Sequence, residues 1–354
     1  MSQIMMNSIG MRPTAVPLTL EVRYPVRFSA VALLPFALFA LSIVGQSPAP
    51  AAGQASAQEQ ASNAPAPQVV DAESLMAKQD WKGAEAALAK WLTTHPEDER
   101  ALFDAGYVAD AQNHLDDAAN FYGRALKINP KSFEAHLSLG LLLARQNKLD
   151  QARPELDAAT RLDPGVAGPA MKARAWRALA QIDRSSDPAA ASTDLIEALK
   201  ISPETPRDTL LAAELADATN QPDAAEAAYK RVLANDPKNA EARAGLAHLL
   251  LARKQYPEAE TVLRAALADS PDNPALTAEL ATALAAQDKG EALPLLQKLH
   301  EAHPDDADIT RMLAEVLAES GDAAGSDLLY TGLLKSQPKN TSLLIAHGQN
   351  LIRL

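Results

Sequence analysis

LFDAGYVADAQNHLDDAANFYGRALKINP, residues 102–130, is answered at a constant offset by HLSLGLLLARQNKLDQARPELDAATRLDP, residues 136–164. Gly106, Ala118, Tyr122, Ala125 and Pro130 of the first stretch return as Gly140, Ala152, Leu156, Ala159 and Pro164, each 34 residues on. Small residues at the first two positions let two antiparallel helices close on each other, and the larger third residue fills the space between them. The proline cannot continue a helix and biases the residue before it away from the α region, so it closes the unit.

Working outward, the same closing proline marks the whole chain: Pro96, Pro130, Pro164, Pro203, Pro237, Pro271, Pro304 and Pro338, at steps of 34, 34, 39, 34, 34, 33 and 34. The first unit begins near Val69 and carries Gly83, Ala84, Leu88 and Trp91. The fifth carries Ala213, Ala225, Tyr229 and Val232, and the sixth Ala247, Ala259, Leu263 and Ala266. The seventh has Ala281, Ala292, Leu296 and Leu299, with one residue lost from its inner turn; the eighth has Ala314, Ser326, Tyr330 and Leu333. These positions recur at helical spacing, so each helix owns a stripe that only its neighbours can bury. The fourth unit holds five extra residues, assigned to the turn-forming Arg184-Ser185-Ser186-Asp187-Pro188. Arg174 stands there where a small residue belongs, with Ala173 and Ala175 on either side, and Trp176 is expected in the core. This unit is read as a loop insertion and as a place where the array could divide.

The pattern resembles the tetratricopeptide repeat, a helix–turn–helix unit. The resemblance covers residues 69–354 and implies an all-α solenoid of about eight 34-residue repeats wound into a right-handed superhelix. It also implies a concave groove, lined by the first helix of each unit, that binds a protein or peptide partner. Transferring that register points to Phe103, Asp104, Tyr107, Asp110, Leu137, Leu141 and Arg145 in the amino-terminal repeats. Further along it points to Leu210, Leu211, Glu214, His248, Arg311, Met312 and Glu315. The family's clamp for a terminal carboxylate uses lysine, asparagine and arginine, whereas Leu137, Ser138, Leu210 and Leu211 occupy comparable positions here. Apolar groove residues with an acidic surround suit a segment of basic character; the same leucines could instead complete the packing inside the superhelix.

Composition agrees with close helix packing: 47% of the residues are hydrophobic but only 4% aromatic. The formal net charge of −12 repels phosphate backbones and anionic lipid, which argues against nucleic acid as a partner. The chain has no cysteine, which removes disulfides, thiolate metal sites and thiol nucleophiles.

Residues 1–45 read as an export signal or membrane anchor. Arg12, Arg23 and Arg27 precede the uncharged run FSAVALLPFALFALSIV, residues 28–44. Ala55-Ser56-Ala57 offers a small-x-small cleavage site, and Ala49-Pro50-Ala51 a poorer one. The alternative is an uncleaved anchor, because the run is near the ~17-residue lower limit for spanning hydrocarbon. Either way the repeats are expected outside the cytoplasm, periplasmic or secreted or held at the inner membrane, with membrane contact only through this segment. Residues 46–68 form an Ala/Pro/Gln-rich linker without apolar periodicity.

Catalytic signatures are missing: there is no Gly-rich phosphate loop, Gly-x-Ser-x-Gly elbow or His-Glu-x-x-His pair. His300 and His303, near Asp305 and Asp306, are the only close histidine pair, and His303 reads as a turn residue before Pro304. The expectation is a non-enzymatic scaffold with no cofactor and no metal, serving envelope assembly or secretion. The alternative is an accessory of polysaccharide or cell-wall export that touches glycan through Phe103 and Tyr107. Beyond Pro338, residues 342–354 read as one more helix, with Leu344, Gly348 and Leu351 on the side a second helix would cover, which opens a route to self-association.

Overall fold

The computed structural model describes residues 66–354, so the apolar run, both cleavage-site alternatives and nearly all of the linker lie outside the described residues. Among the described residues there are seventeen α-helices and no strand, and no helix is long and apolar enough to cross a membrane. They come in pairs: α1 (Pro67–Ala77) with α2 (Trp81–Leu92), α3 (Glu99–Ala111) with α4 (Leu115–Ile128), and α5 (Phe133–Arg145) with α6 (Leu149–Arg161). In sequence α7 (Gly168–Asp183) and α8 (Pro188–Ile201) come next, then α9 (Pro206–Ala218) paired with α10 (Pro222–Asn235) and α11 (Ala240–Ala252) with α12 (Tyr256–Asp269). The last are α13 (Pro274–Ala285) with α14 (Ala292–Ala302) and α15 (Ala307–Glu319) with α16 (Ala323–Ser336), followed by α17 (Thr341–Arg353). The result is an all-α helical repeat solenoid. It forms two compact units, one of residues 66–182 with 200–202 and the other of 183–199 with 203–354.

Each unit of sequence punctuates its own helices. Two residues after the closing proline stands a helix N-cap, and Asp98, Asn239, Asn273, Asp306 and Asn340 each accept a backbone N–H of the first turn that follows. Thr205 does the same as part of a capping box with Asp208. Such a cap stabilises a helix by about 1 kcal/mol. The turn between the two helices of a repeat ends its first helix with one left-handed residue: Gln79, Asn113, Asn147, Asn220, Lys254, Asp288 or Gly321, with φ between 54° and 95°. Asparagine and glycine tolerate this conformation, while lysine and glutamine bear about 1–2 kcal/mol of steric cost.

Between paired helices the small-to-large contact is direct. A Cβ built on Gly106 would stand 2.7 Å from the Tyr122 ring, and one on Gly140 2.7 Å from Leu156. Tyr122, Leu156, Leu263 and Leu296 are all fully buried, as are Ala118, Ala152 and Ala259 beside them in sequence. Polar bonds then tie several repeats to the ones before them. A residue just past the end of the first helix reaches back 27 positions to a glutamate on the preceding second helix: Gln112 to Glu85, Arg253 to Glu226 and Gln287 to Glu260, each at 3.0 Å.

The fourth repeat corrects the expected loop insertion. Val166 replaces the N-cap residue after Pro164, and a 3-10 turn (Gly165–Ala167) fills the place of the cap. Compared with the repeat before, the approach to α7 is one residue longer, α7 itself three residues longer, and the following loop one residue longer. Most of the insertion is therefore an extra helical turn, which satisfies its own backbone hydrogen bonds where a loop would not. Ala173 and Ala175 are both fully buried, and Trp176 packs half-buried against the core around Leu142 and Leu179.

Two glycines separate packing from propensity. Gly106→Val forces side-chain atoms into the Tyr122 ring and should destabilise by about 1–3 kcal/mol. Gly123, in α4, has nothing within 4 Å of a built Cβ, so Gly123→Ala should stabilise by about 0.5–1 kcal/mol. Urea unfolding of the two variants beside the parent protein measures both signs.

Candidate partner-binding face

First helices lie side by side: α9 touches α11, α11 touches α13, α13 touches α15 and α15 touches α17, and in the other unit α1 touches α3. A side chain that points from a first helix toward its next neighbour is therefore covered, and only the outermost strip of each helix faces solvent.

In the unit that holds α3 and α5 this removes several expected contacts. Leu137 and Leu141 are 1% and 0% exposed inside the core with Phe133, Leu142 and Leu156, so they complete the packing and offer nothing to a partner. Asp104 and Asp110 are buried as well. Arg145 on α5 pairs with Asp110 on α3, bridging successive first helices. Phe103 and Tyr107 are half-buried and engaged with other rings: Phe103 lies 5.5 Å from Tyr122, and Tyr107 stands edge-on to Trp81 at 6.0 Å. Burial, and then the neighbouring Asp110 carboxylate, raise the Tyr107 hydroxyl above its ordinary pKa.

In the unit that holds α9 to α17 the expected set divides. Leu210, Leu211 and Arg311 are buried, with Arg311 bonded to Glu315 at 2.7 Å. Glu214, Met312 and Glu315 are half-buried and His248 is exposed. Two neighbours escaped the sequence reading. Asp217 lies one helical turn beyond Glu214, and that i,i+3 spacing was a usable signal. Arg184, which bonds Glu214 at 2.9 Å, comes from thirty residues upstream, and no local pattern announces it.

The electrostatics of this strip are acidic and strained by burial. Burial raises the Glu214 carboxyl, with Arg184 opposing it, Glu241 adding to it and Arg207 opposing. Burial likewise raises Asp217, against the pull of His248. Tyr229 beneath them is raised by burial and then by both carboxylates. No group of three or more metal-ligating side chains gathers among the described residues. His300 is engaged by the Thr310 hydroxyl at 3.1 Å, and Asp306 caps α15.

Glu279 on α13 is the outlier. It is 2% exposed, neither carboxylate oxygen has a hydrogen-bond partner, and burial alone lifts its pKa to about 7. The same place in the repeat holds the buried Asp104, Ser138 and Leu211 and the half-buried Gly245 and Met312, so a carboxylate is not required there.

Comparison with known proteins is consistent with this geometry. Tetratricopeptide repeat profiles match residues 71–133, 103–167, 137–206 and 279–341, and a second such profile matches 218–282. The chain belongs to the tetratricopeptide repeat family, whose members in general act as protein–protein interaction scaffolds and whose fold is in general non-enzymatic. Among solved structures it is similar to the Cut9–Hcn1 hetero-tetramer of APC/C, with a TM-score of 0.51 and 14% identity over 80% of this chain and 55% of that one. It is also similar to a tetratricopeptide repeat protein from Parabacteroides merdae (TM-score 0.49, 17% identity, 72% of this chain and 98% of that one). A third likeness is to Pseudomonas aeruginosa pilF (TM-score 0.48, 17% identity, 61% and 97%). These likenesses concern the fold alone. The comparison with curated proteins finds no match.

Glu279 gives a pH signature. A buried acid raised from 4.5 to about 7 binds its proton in the folded chain where the unfolded chain has released it. Stability therefore falls as pH rises from about 4.5 to about 7 and is level on either side, a loss on the order of 3 kcal/mol. Glu279→Met, which copies the eighth repeat, should reduce this slope, with Glu214 and Asp217 carrying what is left, and raise the melting temperature at pH 8 while changing it little at pH 4.5. A slope as steep in the variant as in the parent would mean that other groups carry it.

Proposed function

We propose that this chain is a scaffold outside the cytoplasm that holds an extended or helical protein segment of basic character on the first-helix strip of α9 to α15. The reading is supported by Glu214 and Asp217, two half-buried carboxylates on that face, of which Glu214 is already paired with Arg184 while Asp217 feels only the pull of His248 against its burial. A lysine or arginine from a partner would return to Asp217 the stabilisation that burial removes. The exposed His248 near Asp217, and Met312 further along the strip on α15, supply adaptable contacts. Leu137, Leu141, Leu210 and Leu211 take no part, since they are buried.

Location rests on the amino-terminal segment, where three arginines precede a seventeen-residue apolar run. That order favours export with the repeats on the far side, whether the segment is removed or kept as an anchor. A role in envelope assembly or secretion fits such a placement.

A reporter enzyme that is active only after export, fused behind Gln68, should be active in cells, and an inactive fusion with intact protein would overturn the placement. For the face, in-cell crosslinking followed by mass spectrometry compares the parent with Glu214→Gln, Asp217→Asn, Glu315→Gln, which keeps shape while removing charge. The proteins captured by the parent should fall at least about tenfold in the triple variant, and capture from the parent should weaken with salt. Undiminished capture by the variant would place the partner elsewhere on the repeats.

A further inference from the structure

Glu279 lies on the solvent side of α13, yet its own side chain is enclosed. Ala275, Glu279, Thr282 and Ala286 follow at steps of four, three and four, which places them on one face of the helix. Ala275 and Ala286 are exposed and Thr282 is half-buried, so this face opens onto the first-helix strip. Glu279 between them is only 2% exposed, and neither of its oxygens finds a hydrogen bond. The cover over it is made of small side chains. Ala278 is half-buried beside it, and the adjoining first helix α11 has half-buried Ala244 and Gly245 at the corresponding places. Among the described residues no charged group acts on the acid, His248 on α11 and Arg311 and Glu315 on α15 included.

Folding gives no reason for an acid here. Ser138, Leu211 and Met312 take the same place in other repeats, and a buried carboxylate without a partner is costly. Other carboxylates on first helices receive a cation from the chain itself: Asp110 has Arg145, Glu214 has Arg184 and Glu315 has Arg311. At Glu279 that half of the pair is left for another molecule to bring. The approach, past alanine, glycine and threonine, is narrow and mostly apolar. A lysine suits it, because its stem can lie along apolar surface while the ammonium meets the acid. A guanidinium is broader, and a single carboxylate would leave several of its donors unpaired. A divalent ion wants more ligands than one, and no group of three gathers among the described residues.

We propose that Glu279 is the floor of a lysine subsite, in which a partner's lysine passes between the small side chains of α11 and α13 and pairs with the carboxylate. The proposal rests on the reading of this strip as the face for a basic segment, and it gives that segment one fixed residue. Free Glu279 holds its proton up to about pH 7. As lysine enters with its ammonium charged, that proton therefore leaves for solvent.

The test uses the full chain with carbon-13 at its glutamate carboxyls. The probes are Ala-Ala-Lys-Ala-Ala with blocked ends and the same peptide with norleucine, which is uncharged, at its centre. The Glu279 signal, identified by its absence from Glu279→Gln, should move saturably with the lysine peptide. The norleucine peptide should bind at least about tenfold more weakly, as should the lysine peptide to Glu279→Gln and Glu279→Met. Calorimetry at pH 6 should show release of roughly one proton per lysine peptide, lost in both variants. Glu279→Met, expected to be the more stable at pH 8, guards against a folding defect. No saturable response to the lysine peptide, equal binding of both peptides, or lysine binding that survives Glu279→Gln would overturn the proposal. So would an equal response to sodium or magnesium chloride, which would make this a site for small ions. In-cell capture separates the subsite from the wider reading. Capture lost in the Glu214→Gln, Asp217→Asn, Glu315→Gln variant but kept in Glu279→Gln would leave the basic segment standing and remove the lysine subsite.

Discussion

One helix pair of this chain cannot bury its own apolar stripe, and everything else in the structure answers that deficit. A glycine or alanine on the first helix admits a tyrosine or leucine from the second, as at Gly106 with Tyr122 and Gly140 with Leu156. That close approach covers one side of each pair and leaves the other for the next repeat. Neighbours rather than distant segments complete the core, so stability is close to a sum of repeat and interface terms. The helix caps and left-handed turn residues make each unit start and stop at the same place, which keeps those interfaces in register.

This architecture was largely legible in advance because its determinants are short-range and repeated. The closing prolines, the residue two beyond each, and the small–large positions all act within one unit, so a single sequence shows them again and again, the fourth unit excepted. The fourth repeat was misplaced for an equally local reason. Arg184 to Pro188 has the composition of a turn, yet three of the five extra residues extend α7, where their backbone groups find partners within the helix.

The binding face was harder to read, and the reason is physical. An apolar residue on the inner side of a first helix can face a partner or the adjacent first helix, and its type does not distinguish the two. Leu137 and Leu141 fell to the neighbour, while His248 remained in solvent. Glu279 makes the point in reverse, since a glutamate on that helix reads as a surface residue and is enclosed on all sides. Arg184 and Glu214 meet only because packing brings together residues thirty positions apart, which no motif encodes.

The hydrogen bonds that reach back 27 positions have an evolutionary side. Gln112 with Glu85, Arg253 with Glu226 and Gln287 with Glu260 each join the end of one first helix to the second helix before it. A unit with this grammar carries an acceptor for its successor and a donor for its predecessor. Copying or excising one such unit by recombination leaves matching halves at the new junction, so the array can lengthen or shorten without a fresh interface having to be invented.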